Sequence, residues 1–313
     1  MAYSAGMTSL LPLGPGLHVL QRGWLSSNNV LLDDDDGATL IDSGHCVHAE
    51  QTVALLRQWL GGKPLRLLVN THLHSDHCGG NAAVQREWVP DVRVPSGSLK
   101  AVRDWDEQAL SYRPTRQRCE RFTAQGCVAP DQVLTVGGRD WKVMAAPGHD
   151  PESVILFDAT HGVLISADAL WENGFGVVFP ELDGDDAFGD VARVLDLVEA
   201  LPVRCVIPGH GAPFTDVAGA LQRARSRLAG FRSSPERHLR HGAKVLLKYH
   251  VMEEREQALP ALRDWLRDTP LMQSIWAGLG HPEGSFAVWA ELLLQEMLAG
   301  GALGRRGDIV HDV

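Results

Sequence analysis

One short stretch, Thr71-His72-Leu73-His74-Ser75-Asp76-His77, constrains this chain more than any other. Three imidazoles and a carboxylate fall within positions 72 to 77, directly behind the apolar run Leu67-Leu68-Val69. Without a metal, four such groups would compete for protons and hydrogen-bond partners, whereas imidazole nitrogen and carboxylate oxygen suit zinc and related divalent ions. Side chains two apart point the same way in extended backbone, so His72 and His74 can converge on one ion while Asp76 and His77 reach beside them. Two neighbouring ions fit the cluster better than one.

The rest of the chain bounds what can surround such a site. Its 313 residues can bury a substantial core, as one large domain or a large domain with a small appendage. The 44% hydrophobic and 22% charged content is that of a folded soluble protein, and no run of about 18 uncharged apolar residues exists to span a membrane. The opening MAYSAGMTSLLPLGPGLHVL lacks the basic start and small-residue cleavage site of a secretory signal, so a short lead into a strand and a cytoplasmic location are expected. Five cysteines, Cys46, Cys78, Cys119, Cys127 and Cys205, are odd in number and lack CxxC spacing, which argues against a disulfide scaffold or a zinc finger. Cys78 reads as a buried thiol under the metal loop rather than a ligand.

A formal charge of -10 argues against general attraction to nucleic acid or an anionic membrane. It conceals a basic stretch: arginines or lysines at 223, 225, 227, 232, 237, 240, 244 and 248 stand against the single acid Glu236. Solvated helix faces explain such a run. So does an anion-binding flank for a phosphate-bearing or carboxylated substrate, or for RNA.

Short apolar runs alternate with amphipathic stretches through the first half. Val30-Leu32 and Thr39-Ile41 read as a hairpin around the turn Asp34 to Gly37, Gln51 to Leu60 as a helix stopped by Gly61-Gly62, and Leu65 to Asn70 as a strand ending at the histidine cluster. Residues 99 to 126 read as a helical excursion or lid. Strands resume at Val133-Val136, Trp141-Ala145, Val154-Phe157 and Val163-Ser166, followed by a helix over Asp190 to Ala200, a strand at Arg204-Ile207 and a helix capped by Thr215. The order implies a layered α/β fold with sites where strands end. Beyond about residue 230 the pattern turns helical, with Lys244 to Met252, Leu259 to Leu266 and Ser285 to Leu298 as helices before a small hairpin. A catalytic domain over 1–230 and a compact helical subdomain over 231–313 follow. Trp276, Phe286 and Trp289 could pack within that subdomain or across a homodimer.

Further metal donors should stand at other strand ends, and three places offer them: Ala146-Pro147-Gly148-His149, Ser166-Ala167-Asp168 and Ile207-Pro208-Gly209-His210-Gly211. With the first cluster they supply five histidines and two aspartates, which matches what two ions need.

In order and character, THLHSDH, APGHD, SAD and PGHG resemble the signature of the metallo-β-lactamase superfamily, over residues 12 to about 215. The resemblance implies a four-layer αββα sandwich with its site at one edge. It also implies one ion on His72, His74 and His149, a second on Asp76, His77 and His210, and Asp168 bridging them. By the same likeness Asp42 in LIDSG supports the ligand loop. The tail is similar to the winged-helix-like appendage of the β-lactamase-like protein 2 branch. Asp168 stands where the B1 antibiotic-hydrolysing enzymes place cysteine, and the presence of His77 and His210 favours two metals over the single iron of a persulfide dioxygenase.

A pair of divalent ions about 3.5 to 4 Å apart can share a bridging hydroxide near neutral pH, with Asp76, His77 and Asp168 placed around it. Zinc is the first choice, with manganese and iron accepted by the same donors. The substrate expected is a small molecule, anionic or acyl-bearing: a carboxylic ester, thioester or lactone, because the loop Trp171 to Pro180 is apolar and aromatic. The alternatives are phosphodiester cleavage of RNA, β-lactam amide hydrolysis, and a non-enzymatic metal-stabilised interaction module.

Overall fold

The computed structural model describes residues 13–313, so most of the chain's opening segment lies outside the described residues. Two sheets form its centre. The first has six strands in sequential order: β1 (Leu17–Leu20), β2 (Asn29–Asp34), β3 (Gly37–Ile41), β4 (Leu65–Val69), β5 (Asp91–Pro95) and β6 (Gly126–Val128). The second has five, β7 (Val133–Val136), β8 (Arg139–Ala145), β9 (Val154–Asp158), β10 (Val163–Ala167) and β11 (Cys205–Pro208), ordered β11-β10-β9-β8-β7. β1 to β3 and β7 to β10 meander antiparallel, and β3 to β6 and the pair β10/β11 run parallel.

Period-two alternation sorts the side chains into layers. Leu32, Ile41, Leu67 and Val69 of the first sheet meet Trp141, Val143, Leu156 and Ile165 of the second in a shared inner core. Their neighbours Leu31, Leu40 and Leu68 face outward, onto Leu56 and Leu60 of α1 (Ala49–Leu60) and Val84 of α3 (Asn81–Trp88). The single-turn α2 (Ser75–Cys78) lies between those two helices in sequence. On the far side Ile155, Phe157, Leu164 and Val206 pack against α7 (Phe188–Glu199) and α8 (Val217–Ser233). The result is the αββα sandwich expected. Short helices α4 (Leu99–Asp104) and α5 (Tyr112–Thr115) make up the 99 to 126 excursion, and α6 (Phe179–Leu182) follows the loop after β10.

The tail comprises α9 (Pro235–Glu254), α10 (Leu259–Asp268), α11 (Pro270–Gly278) and α12 (Phe286–Ala299). A three-stranded antiparallel sheet completes it, with β12 (Glu256–Ala258), β13 (Leu303–Arg306) and β14 (Ile309–Asp312) in the order β12-β14-β13. Its apolar cluster runs from Leu239 to Val310 and takes in Val177 from the loop beyond β10 and Leu182 of α6, which places α9 over the site edge. Gly242 makes that approach feasible, since a Cβ there would stand 2.5 Å from Leu182 Cδ2.

Several expectations need correction. The helix read from Lys244 begins at Pro235, because proline with no N–H to satisfy serves as a first-turn residue. Pro270 likewise starts α11 rather than only ending α10. The cap of α8 is Asp216, one residue after Thr215: its carboxylate accepts from Gly219 N. Trp276, Phe286 and Trp289 pack on one another within the tail, with ring centroids 5.8 and 5.3 Å apart. Among the described residues no helix is long and apolar enough to cross a membrane.

Candidate metal centre

Every donor named from the sequence comes to the same end of the sandwich, where β4, β8, β10 and β11 stop. β4 ends at Val69, and the next two residues are tied down before the histidines begin. Asn70 N donates to Arg93 O at 3.0 Å, and Thr71 donates through N and Oγ1 to the Asp42 carboxylate at 2.9 and 2.7 Å. At the end of β10 a register shift against β11 and a positive φ of 46° at Ala167 turn the chain so that Asp168 leaves the strand inward. Gly209 lets β11 pass close behind it: a Cβ there would lie 2.1 Å from Asp168 Oδ1. Gly176 does the same for His149, whose Nδ1 would stand 2.4 Å from an added Cβ.

The seven side chains sort into two buried groups. Donor atoms of His72, His74 and His149 lie within 4.8 Å of one another, and so do those of Asp76, His77, Asp168 and His210. Asp168 faces both, with Oδ2 at 3.3 Å from His149 Nε2 and Oδ1 at 3.4 Å from His77 Nε2. One carboxylate therefore spans the two groups. His210 Nε2 meets Asp76 Oδ2 at 2.9 Å.

Neighbouring acceptors decide which ring nitrogens carry protons. The Val177 carbonyl can only accept, so His149 Nδ1 donates to it at 2.6 Å and Nε2 keeps its lone pair, facing His74 Nδ1 at 2.8 Å. Asp42 Oδ2 accepts from His77 Nδ1 at 2.8 Å and from the Thr71 hydroxyl, whose oxygen lies 3.2 Å from His72 Nδ1 and accepts from it. Asp42 thus leaves the Nε2 atoms of both His72 and His77 as lone-pair donors. Both atoms are buried with no hydrogen-bond partner. Buried nitrogens without partners, beside carboxylates, are costly alone and are satisfied by cations, so this donor set fits two divalent ions.

Protonation follows the same logic. Burial pushes His74 and His149 down to about 4 and holds His72 well below the ordinary histidine range, so these three stay neutral donors at neutral pH. Burial also disfavours the imidazolium of His77, but Asp168, Asp42 and Asp76 outweigh it and raise that group well above the ordinary range, so without a cation a proton stands on Nε2, at the position a cation would take. Burial likewise opposes charge on Asp76 and Asp168. His77 and His210 outweigh it and keep both carboxylates ionised.

An aromatic wall stands beside the donors. Trp24, 56% exposed, stacks on His210 at 5.6 Å, Trp171 meets both edge-on, and Phe179 covers His74 at 4.5 Å and His149 at 5.5 Å. Trp171 Nε1 also donates to Asp168 Oδ1 at 3.2 Å. From α9, Tyr249 sets its hydroxyl 2.9 Å from Asp76 Oδ2 and 2.7 Å from Trp24 O. Sequence reasoning did not single out Tyr249 or Trp24. Tyr249 sits between Leu246-Leu247 and His250 with no motif around it, and only the packing of α9 brings it to the centre.

Cys78 is fully buried, its thiol beside Leu73 O, His74 O and Tyr112 Oη, which is the packing role read from the sequence. A further group, His45, Cys46 and Glu253, also falls within 4.8 Å. There Val47 N donates to His45 Nδ1, so a neutral His45 carries its proton on Nε2, and Arg118 Nε holds Glu253 at 2.6 Å. That group is not set up for an ion.

The sequence matches the metallo-beta-lactamase superfamily over residues 22–210. It is 28% identical over 227 residues to an acyl-coenzyme A thioesterase of Gallus gallus, covering 64% of this chain and 79% of that one; against the Bos taurus and Homo sapiens proteins of the same description it spans 56% of their length. It is 31% identical over 150 residues to a hydroxyacylglutathione hydrolase of Stenotrophomonas maltophilia, covering 48% of each. In structure, a metallo-beta-lactamase family protein from Thermus thermophilus superposes with a TM-score of 0.58 at 20% identity, over 96% of this chain and all of that one.

Proposed function

The chain belongs to the metallo-beta-lactamase superfamily and is a hydrolase, and we propose that it cleaves thioesters at a dinuclear metal centre. The observation that carries the reading is the pair of buried donor groups joined by one carboxylate, open beside an aromatic wall. In this reading His72, His74 and His149 would hold one ion and Asp76, His77 and His210 the other, with Asp168 available to both. Two divalent ions, zinc foremost, would supply an activated water at neutral pH and polarise a substrate carbonyl.

The chain's own groups supply the rest. Asp42 and the Val177 carbonyl fix the imidazoles in the tautomers that present lone pairs, and Asp76, His77 and Asp168 surround the reacting atoms. Trp24, Trp171 and Phe179 offer an apolar surface for an acyl chain and keep bulk water away. The Tyr249 hydroxyl provides a hydrogen-bond donor within the site. A thiol leaves readily as thiolate, its ordinary pKa being about 8.5, so a thioester demands less of a general acid than an amide or phosphodiester. The names of the relatives favour the same bond. Residues 1–230 form the catalytic unit in this reading and 231–313 the appendage that adds Tyr249. With all five cysteines unpaired, a reducing cytoplasmic setting suits the chain.

A panel of acyl thioesters, carboxylic esters, lactones, a cephalosporin and bis-nitrophenyl phosphate, run with zinc, manganese or iron, tests the proposal. Thioesters should give the highest kcat/KM. Preferential turnover of the phosphodiester would replace it with the nuclease reading. Metal analysis should find two equivalents in the wild type and a number close to one in His77→Ala; equal stoichiometry would remove the dinuclear assignment.

A further inference from the structure

We propose that the cleft between α8 and α9 binds the phosphate groups of a coenzyme A thioester, a refinement that rests on the thioesterase reading. The cleft, about 890 Å³, is lined by Arg223, Ser226, Arg227, Phe231, Arg237 and His241 among others, and no carboxylate lines it. A second cleft of about 380 Å³ shows the contrast. There Arg116 and Arg118 face Glu253, Glu254, Asp264 and Asp268, so an anion would meet more repulsion than attraction.

Arg227 is the centre of the argument. It is half-buried, its guanidinium lies 5.7 and 5.6 Å from the rings of Phe175 and Phe231, and Nη2 donates to His241 Nε2 at 2.9 Å. Its contact through Nη1 to Asn173 O is long, at 3.5 Å. Among the described residues no carboxylate lies within ion-pair distance of Arg227 or of the exposed Arg237. A partly desolvated guanidinium held rigid between two rings, with its charge unmatched, is incomplete without an anion, and its planar fork matches phosphate oxygens. Gly174 clears the space: its φ is +125°, and a Cβ there would stand 2.7 Å from Arg227 Nη1.

One turn separates this cleft from the metal centre. Trp171 N donates to Gly174 O at 2.7 Å, closing a four-residue turn whose ends are within about 7 Å. On one side the Trp171 ring touches Asp168 and His210; on the other the carbonyl oxygens of Glu172 and Asn173 accept from Arg223 at 2.7 Å and from Arg227. A substrate with its thioester at the metals and its phosphates a flexible arm away fits this placement. Glutathione thioesters carry no phosphate and would leave the cleft empty.

The test compares kcat/KM for an acyl-coenzyme A with that for the same acyl group on pantetheine, in wild type, Arg227→Gln and Arg237→Gln. The second variant alters an exposed side chain and guards against misfolding of the first. The wild-type preference for the coenzyme A ester should fall about tenfold or more in each, matching loss of one charge-assisted hydrogen bond. An unchanged ratio overturns the proposal. Calorimetric titration with adenosine 3′,5′-bisphosphate tests the cleft without turnover: binding that weakens in both variants supports it, and no binding to wild type overturns it even if thioesters are cleaved. Binding without cleavage of any thioester would instead sink the thioesterase reading and leave the cleft standing. Tighter binding and cleavage of a short RNA would assign the cleft to a polynucleotide and overturn the proposal.

Discussion

Asp42→Asn isolates the group that organises both halves of the centre. The carboxylate is buried and accepts three hydrogen bonds: Thr71 N at 2.9 Å, Thr71 Oγ1 at 2.7 Å and His77 Nδ1 at 2.8 Å. Its φ is +56°, a conformation that asparagine tolerates, so the substitution changes charge without straining the backbone. If the amide oxygen keeps the Oδ2 position, the NH2 group confronts the Thr71 N–H. If it turns round, the NH2 group confronts His77 Nδ1–H and the Thr71 hydroxyl. Either way a donor meets a donor, and the remaining acceptor has lost its charge.

A hydrogen bond to a charged group contributes about 1.5 to 3 kcal/mol, so losing one and weakening two should destabilise the metal-free fold by roughly 2 to 4 kcal/mol. The ion that uses His77 should bind about 10- to 100-fold more weakly. The ion on His72 is affected less, because Asp42 reaches His72 only through the Thr71 hydroxyl. Competition with a chromophoric chelator resolves the two binding steps, and urea unfolding of the metal-free protein gives the stability. Wild-type affinity at the weaker step, together with an unchanged unfolding midpoint, would refute the claim that Asp42 sets the imidazole tautomers.

Gly209→Ala should lower kcat by about a hundredfold or more, because the added methyl displaces Asp168 by a large fraction of an ångström while the strands around it hold; wild-type kcat would show that Asp168 tolerates movement. Tyr249→Phe keeps the ring and removes the hydroxyl whose one proton lies between Asp76 Oδ2 and Trp24 O, and about a tenfold fall in kcat with KM and melting temperature nearly constant is expected; an equal loss of stability would reduce Tyr249 to packing. Low pH should destabilise the fold through His238 and His250, which burial lowers from 6.5 to about 3 and about 4. The unfolded chain takes up these protons near 6.5 and the folded one does not, so their stabilisation is complete above pH 6.5 and is lost as pH falls towards 4, by up to about 2 kcal/mol each at pH 5. The urea midpoint of His238→Gln should therefore fall less steeply over that range than that of the wild type.

The sandwich and the clustering of its candidate donors were legible because both rest on local pattern. Alternation in Leu31-Leu32 and Leu40-Ile41 sends neighbours to opposite layers, and donors two apart after β4 need no distant partner to be noticed. His149, Asp168 and His210 follow apolar strands at glycine or small-residue turns, which is where a parallel-edged sheet places a site. The misplaced start of α9 and the helix α11 that the sequence reading missed have one cause. Proline ends a helix at the residue before it and begins one equally well, and the sequence does not say which until the neighbouring helix is packed.

What escaped the sequence is long-range. Tyr249 lies 173 positions from Asp76, and its hydroxyl arrives because Leu239, Ala243, Leu246 and Leu247 seat α9 in the tail's core while Gly242 lets it close on Leu182. The basic run is similar. Its arginines look equivalent along the chain, yet folding pairs Arg225 with Asp196 and Glu199, and Arg223 with Asp216, while Arg227 and Arg237 keep their charge turned to the cleft. Helical spacing sorts these residues by face, and only the acids supplied from α7 and from the start of α8 decide which faces are neutralised. If the cleft between α8 and α9 holds the phosphates as proposed, substrate choice follows from which cations remain unmatched after packing, and exchanging the paired Arg225 for glutamine should leave the acyl-coenzyme A preference at the wild-type value where Arg227→Gln lowers it.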